Sequence, residues 1–486
     1  MGPIGHGPGL IGLGAMGLNL ARNLIGKGIQ VTATDADVGR RLAARWAEPS
    51  ITVRADPMGL VSTLPRPRRL LLLVPAGAAV DEVLEGLMAL LESGDVVMDG
   101  GNSHFRDAER RRARLAARGV GFVDLGVSGG PAGALAGPAL MVGGARADAD
   151  RVLPLLDEAA WRDGAGRRVC ARMGGVGAGH FAKMVHNGME YALMQHLAEG
   201  YLLLRRGFGL SPDGVAEVFE GWRGGALRSH LLDVTIAALG ARDEGGEPLL
   251  AAAGDRATQN GTGLWAGTTA LELGIPAPSL IAAVTVRQFS VMDEGREEAR
   301  RALGGNAEGS DALADPSMRE SLRSDLETAL YQANQAVHAQ GIHLLAEGRR
   351  RFGWALSLEA LAAVWRHGCI IRSDILAGLE PLLAAHPDLE NPLWQGDFVA
   401  GLVAAPRDRP RDRPRDRRFP ALRRVVTALV TAGIPCPGLG AALSYLDLWA
   451  YPECGAGLVQ TQRHRFGEHP IRNIHPANAQ SAAPGM

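Results

Sequence analysis

The fold is decided by Gly9-Leu10-Ile11-Gly12-Leu13-Gly14-Ala15-Met16-Gly17 and the helix-like run at 18–25 that follows. An apolar run, a Gly-x-Gly-x-x-Gly turn and a helix, in that order, open a dinucleotide-binding βαβ unit. Gly12 permits the tight turn, Gly14 lets the backbone approach a pyrophosphate, and Gly17 lets helix and strand pack closely. Ala15 and Met16 lie between them, at a helix N-terminus that supplies positive potential to phosphates. The first strand, flanked by Gly7-Pro8-Gly9, is expected to be short. Outward from it, apolar runs recur at 30–34, 70–74, 95–98 and 121–124, separated by helix-like segments. That alternation predicts an α/β fold with a parallel, doubly wound sheet, a Rossmann-type domain over 1–176. The second strand is expected to end at Asp35, about 18 residues after Gly17, close to the spacing at which an acid hydrogen-bonds ribose hydroxyls and repels a 2′-phosphate. Ala36 follows rather than an arginine, so the cofactor is read as NAD. NADP is the alternative, with Arg40 or Arg41 reaching its phosphate.

The 486 residues carry 51 basic and 52 acidic side chains, a formal net charge of −1. A nucleic-acid binder needs a surplus of positive charge, so that class is excluded. Lys27 and Lys183 are the only lysines; every other basic side chain is arginine. Under a chain-wide drift toward arginine, a retained lysine either survives by chance or does something arginine cannot. Lysine can release its proton at reachable pH and arginine cannot, so one of the two is a candidate acid/base. Cys170, Cys369, Cys436 and Cys454 are far apart and form no CxxC pair, which predicts neither a metal site nor a disulfide framework. No Lys or Arg precedes Arg22, against a secretory signal. The most apolar stretch, 70–80, contains Pro75 and Gly77 and is far short of a membrane span. The chain reads as soluble and cytoplasmic, without metal, nucleic-acid or membrane partners.

From about residue 178 strand signals vanish. Helical patterns at 178–207, 316–352 and 358–383 predict a large all-helical domain over 177–450 for substrate binding and dimerisation. The imperfect Arg-Asp-Arg-Pro repeat at 407–418 cannot build a core and reads as a solvated insertion. Residues 451–486, rich in Pro, Gly and His, read as an extended tail. At the head of the helical domain, Lys183, His186, Asn187 and Glu190 stand at i, i+3, i+4 and i+7, on one helix face. A base and an acid so spaced suit proton transfers at adjacent substrate atoms; the alternative is a solvated polar stripe.

The chain resembles the 6-phosphogluconate dehydrogenases nearly end to end. The segments that carry the likeness are Asp99-Gly100-Gly101-Asn102-Ser103, Gly126-Val127-Ser128-Gly129-Gly130, Gly137-Pro138-Ala139-Leu140-Met141 and His180-Phe181-Ala182-Lys183-Met184-Val185-His186-Asn187. Later ones are Gly261-Thr262-Gly263, Trp365 through Ser373, Ala442-Leu443-Ser444-Tyr445 and Arg463-His464-Arg465-Phe466-Gly467. Relatives that oxidise simple β-hydroxyacids usually carry Lys-x-x-Asn-Asn on this helix; His186 three after Lys183 favours the sugar-acid branch. The resemblance implies oxidative decarboxylation of 6-phospho-D-gluconate to D-ribulose 5-phosphate and CO2 in the pentose phosphate pathway, with reduction of NAD(P). It implies Lys183 as base and then acid, Glu190 as the acid that protonates carbon, and His186 and Asn187 beside them. Asn102, Ser128, Gly129, Gly130, His186, Asn187, Tyr191, Asn260, Thr262 and Arg287 would hold the substrate. Arg463 and His469 would come from the partner of a homodimer. Val74, Pro75 and Ala76, after the fourth strand, and Asn102 would complete the cofactor site.

The chain departs from the family at four places. Asn260 replaces the lysine that grips the substrate phosphate, and arginine drift does not explain an asparagine. Asp35-Ala36-Asp37 and Pro75 replace the Asn-Arg-Thr turn and the lysine of NADP users, which strengthens the reading as NAD. Pro131-Ala132 replace a pair of acids, without an assignable consequence. Two alternatives remain open: a decarboxylase of another 3-hydroxy acid in a specialised pathway, and a non-catalytic NAD sensor, which intact Lys183 and Glu190 argue against.

Overall fold

Eight strands form one sheet: β1 (Gly9–Ile11), β2 (Thr32–Thr34), β3 (Thr52–Val53), β4 (Arg69–Leu72), β5 (Val96–Asp99), β6 (Gly121–Ser128), β7 (Ala139–Gly144) and β8 (Cys170–Gly174). Their order is β3-β2-β1-β4-β5-β6-β7-β8. The first six are the parallel dinucleotide-binding order, whose strand order reverses between β1 and β4. β7 runs antiparallel to β6, and β8 runs parallel to β7. The turn between β6 and β7 holds only the short helix Gly130–Ala136, too little chain for the crossover that a parallel neighbour requires. These two strands were not foreseen in the sequence. The central strands are buried on both faces, as sheets covered by helices require. Leu10, Leu71 and Val123 pack with Leu20 and Leu24 of the helix Ala15–Gly26 on one side. Leu70, Leu72 and Phe122 pack with Leu84 and Leu115 on the other.

This computed structural model describes residues 7–164, 166, 168–304, 313–403, 419–467 and 469. The repeat at 407–418 lies outside them. The described chain divides into two compact units, Met1–Leu443 and Ser444–Met486. After β8 comes the helix Ala178–Leu202, apolar or buried on nearly every side. A helix so enclosed belongs to the middle of a large core. The helix Pro316–Phe352 lies along it, close enough that a Cβ on Gly348 would meet the Phe181 ring at 2.4 Å.

Three sequence expectations change. The run at 178–207 is α-helical to Leu202 and then widens into a π-helical turn, Leu203–Gly207. The run at 358–383 is two helices, Leu358–Arg366 and Asp374–Ala385. Gly368 takes a left-handed φ of +64° between them, and the Ser373 hydroxyl accepts Leu376 N–H to start the second. The tail is not wholly extended: the proline-free run between Pro452 and Pro470 forms the helix Ala456–Gly467. Among the described residues no helix is long and apolar enough to cross a membrane.

Candidate active site

The Gly-rich turn forms as the strand–helix order demands. Gly12 has φ +108°, and a Cβ there would stand 2.3 Å from Leu73 O; one on Gly17 would stand 1.9 Å from Gly12 O. The helix Ala15–Gly26 begins at Gly14 with no side-chain cap and no acid in its first turn. Its first N–H groups are thus left for a pyrophosphate, and the residues fit a dinucleotide. The Asp35 carboxylate is already engaged within the fold. Its Oδ2 accepts Leu13 N–H (2.7 Å) and its Oδ1 accepts Asp37 N–H (2.8 Å), so it ties the turn to β2. Arg41 donates to the Asp35 and Ala36 carbonyls. Arg40 stands 3.7 Å from Asp35 Oδ2 and remains largely exposed. Val74, Pro75 and Ala76 follow β4, and a Cβ on Gly12 would stand 3.3 Å from Val74 Cγ1, so this loop lies against the glycine turn.

A cavity of about 580 Å³ opens beside this turn, and Met16 reaches its wall. Asn102, Ser128, Gly129, Gly130, Lys183, Asn187, Glu190, Tyr191, Asn260, Thr262 and Arg287 line it, with Val127, Met194, Thr258, Gln259 and Ile370. The structure therefore brings together residues from strand ends and five helices that were singled out separately. His186 is different. Its ring is fully enclosed and stands behind the wall rather than on it. Arg463 and His469 belong to the second unit, where both are exposed.

Two buried carboxylates hold the site's framework. Asp124, from β6, accepts Gly177 N–H (2.8 Å) and His180 N–H (3.0 Å), capping the Ala178–Leu202 helix from across the sheet. Asp99, at the end of β5, accepts Gly101 N–H (3.1 Å), the Ser103 hydroxyl (2.8 Å) and Arg111 Nη1 (3.0 Å), which shapes the turn bearing Asn102. Sequence reasoning missed both, because what each carboxylate caps is set by the sheet and not by its neighbours in the chain. It also missed Cys369, whose Sγ lies 2.7 Å from His186 Nε2; a buried thiol in no CxxC pair gives no signal.

Burial lowers the Lys183 pKa from the ordinary 10.5, against the pull of Glu190 and Cys369. Burial raises Glu190 above the ordinary 4.5, against Lys183 and Arg287. His186 is held well below 6.5 by burial and by Lys183. Its ring is therefore neutral, and its 3.6 Å approach to Glu190 is not an ion pair. An amine biased toward its free base and a carboxyl biased toward its acid thus face one cavity, the pairing that general acid–base chemistry uses. At the far end, Asn187 Nδ2 donates to Thr262 Oγ1 (3.0 Å), which donates to Asn260 Oδ1 (2.8 Å), as does the Tyr191 hydroxyl (3.3 Å). The Arg287 guanidinium lies over the Tyr191 ring at 3.5 Å.

Two family models match the chain: the NAD binding domain of 6-phosphogluconate dehydrogenase over residues 8–174, and the 6-phosphogluconate dehydrogenase C-terminal domain over 179–482. The chain belongs to the 6-phosphogluconate dehydrogenase family. It is 40% identical to the decarboxylating 6-phosphogluconate dehydrogenase of Treponema pallidum, over 95% of this chain and 93% of that one. It is 37% identical to the NAD(+)-dependent decarboxylating enzyme of Bacillus subtilis, over 95% of each. A Plasmodium falciparum 6-phosphogluconate dehydrogenase, solved in its apo form and with NADP+ and 6-phosphogluconate, superposes with a TM-score of 0.87 at 30% identity, covering 96% of this chain and 98% of that one. The protein is accordingly an oxidoreductase with an NAD(P)-binding domain. Both cofactors occur among these relatives, so membership of the 6-phosphogluconate dehydrogenase family leaves the choice between them to the chain's own residues.

Proposed function

We propose that the protein oxidatively decarboxylates 6-phosphogluconate to ribulose 5-phosphate and CO2, with NAD favoured over NADP. The observation that carries this reading is the pair Lys183 and Glu190, with oppositely shifted pKa values, on the wall of one cavity beside the Gly-rich turn. Residues of that turn, with Asp35, Val74, Pro75, Ala76 and Asn102, would hold the dinucleotide. Bound there, it supplies the acceptor for the hydride that leaves the substrate. Lys183, as a free amine, takes the proton of the C3 hydroxyl during that oxidation. As an ammonium it then donates toward the C3 carbonyl oxygen while the 3-keto acid loses CO2, stabilising the charge that develops. Glu190 protonates C1 of the resulting enediol. Asn102, Ser128, Gly129, Gly130 and Asn187 orient the carboxylate and hydroxyls, and Tyr191, Thr262, Asn260 and Arg287 the distal group. NAD is favoured because Asp35 and Asp37 would repel a 2′-phosphate; exposed Arg40 is the counterweight. By family resemblance the enzyme would be a cytoplasmic homodimer, with Arg463 and His469 reaching the partner's site.

A second reading rests on Asn260. Among the described residues lining the cavity, Lys183 and Arg287 are the cations, so the distal end of this unit offers one positive charge. A 3-hydroxy acid with a less charged end would fit that balance. Both readings are tested by assaying the purified protein with 6-phosphogluconate and with non-phosphorylated and phosphonate analogues, under each cofactor. NAD reduction with CO2 release from 6-phosphogluconate is expected. Turnover of an analogue alone would overturn the first reading in favour of the second. Lys183→Arg keeps the charge and removes the transferable proton. It is expected to lower kcat by on the order of 10²–10⁴-fold, and near-normal activity would refute the base assignment.

A further inference from the structure

Behind the cavity wall, His186 presents two nitrogens that cannot turn to water, because its ring is fully enclosed. Nδ1 faces Asn187 Oδ1 at 3.1 Å and the Lys183 amine at 3.4 Å; burial biases that amine toward its free base, which accepts from Nδ1 as the amide oxygen does. The amide's direction follows from its other end. Asn187 Nδ2 donates to Thr262 Oγ1, whose proton goes to Asn260 Oδ1. That same oxygen accepts Thr262 N–H at 3.4 Å, and a backbone N–H can only donate. Nδ1 therefore carries the ring proton, and Nε2 is the acceptor.

Two donors converge on Nε2: the Ser128 hydroxyl at 3.0 Å and the Cys369 thiol at 2.7 Å. They are also 3.3 Å from each other. Only Ser128 of the two lines the cavity; Cys369 is fully buried, on the loop between the helices Leu358–Arg366 and Asp374–Ala385. That loop is pinned by Arg372 Nη1, which donates to Cys369 O at 2.8 Å. A hydroxyl has one proton. If Ser128 gave it to a substrate oxygen with no thiol at Cys369, Nε2 would become a buried acceptor without a donor, a loss comparable to about tenfold or more in affinity.

We infer that Cys369 is a positioning residue: its thiol takes over the hydrogen bond to His186 Nε2 when the Ser128 hydroxyl turns to the substrate. The cost of turning Ser128 is thereby removed from substrate binding, and His186 keeps the tautomer that faces Asn187. This inference rests on the reading of Ser128 as a substrate contact.

Steady-state kinetics on Cys369→Val, Cys369→Ser, Ser128→Ala and the Ser128→Ala/Cys369→Val double variant test it. Cys369→Val is expected to raise KM for the sugar acid by on the order of tenfold, with KM for the dinucleotide little changed. Cys369→Ser, which restores a donor, is expected to recover most of the loss. The double variant should have the same sugar-acid KM as Ser128→Ala alone, since the two act as a unit. A merely structural role would move both KM values and add to Ser128→Ala. Additive losses, or a silent Cys369→Val where Ser128→Ala is effective, would overturn the inference and leave the site reading intact. A silent Ser128→Ala would instead remove Ser128 from the substrate site, and this inference with it. If Cys369→Val does not fold, Cys369→Ala is judged by the same outcomes.

Discussion

Lys27 Nζ donates to the carbonyls of Glu158 (2.5 Å) and Ala159 (3.2 Å), at the C-terminal end of the helix Arg146–Ala159. Its sequence position suggests a surface cation at the end of its own helix; the structure gives it to a neighbour's dipole instead. Lys183 stands on the cavity wall, where burial biases it toward the free amine. Arginine could fill the first position but not the second, so composition alone was a weak guide until the two were placed. Asn260 is the residue whose substitution carries most information. Its Oδ1 accepts from Thr262 and Tyr191, so it is part of a formed network and not merely a lost charge. Asn260→Lys adds a cation at that end, worth about 1.5–3 kcal/mol toward a phosphate. KM for 6-phosphogluconate is expected to fall by about one to two decades with little change for an unphosphorylated analogue. An equal change for both would show that no phosphate lies there.

At the scale of elements, the fully buried Arg111 joins separate parts of the site. It donates from Nε to Asp81 (2.9 Å), from Nη1 to Asp99 (3.0 Å) and from Nη2 to Gly77 O (3.1 Å). Gly77 and Asp81 start the helix Ala78–Met88 after Val74–Ala76, and Asp99 shapes the Asn102 turn. Asp99 O also meets His180 Nε2 at 2.9 Å, on the helix that bears Lys183. One guanidinium therefore couples the loop after β4 to the turn bearing Asn102, the two proposed to hold dinucleotide and substrate. Asp81→Asn loosens only the first, and is expected to raise KM for the dinucleotide. Arg111→Lys cannot reproduce the planar fork; it is expected to raise both KM values and to destabilise by about 3–5 kcal/mol, as breaking a buried pair does. Steady-state kinetics and denaturant midpoints check this, and identical profiles for the two variants would refute the coupling. The helix Ala178–Leu202 was legible in sequence because Lys183, His186, Asn187 and Glu190 recur at helical spacing on one face. Its cap, Asp124, and the break at Gly368 that delivers Cys369 were not, since each depends on chain that is distant in sequence.

For the molecule as a whole, several ionisable groups are buried away from the site and set its response to pH. His196 and His338 are both lowered to about 4 by burial, and Glu199 is raised to about 7 by burial against donors from Leu439, Gln195 and Gly438. Each histidine stays neutral in the folded chain while the unfolded chain takes up a proton below about 6.5. Its contribution is present above that pH and is lost as pH falls toward 4. Glu199 acts in the opposite sense: the folded chain keeps a proton that the unfolded chain releases, so stability is lost as pH rises from 4.5 to about 7. The two histidines outweigh one carboxyl, at about 3 kcal/mol each, so stability is expected to fall between pH 6.5 and 4. In Glu199→Gln the opposing group is gone and the fall should steepen; unfolding midpoints across that window check it, and an unchanged slope would refute the account. The sequence by itself determined the dinucleotide turn, the change from alternating strands to helices, and the face that carries Lys183, His186, Asn187 and Glu190. Those are properties of local order and helical period. Only the tertiary structure decided the antiparallel β7, the placement of His186 behind the wall, the hydrogen bonds by which Asp35 ties the glycine turn to β2 and the meeting of Ser128 with Cys369. Those depend on burial and on contacts between residues far apart in the chain, which no local pattern encodes.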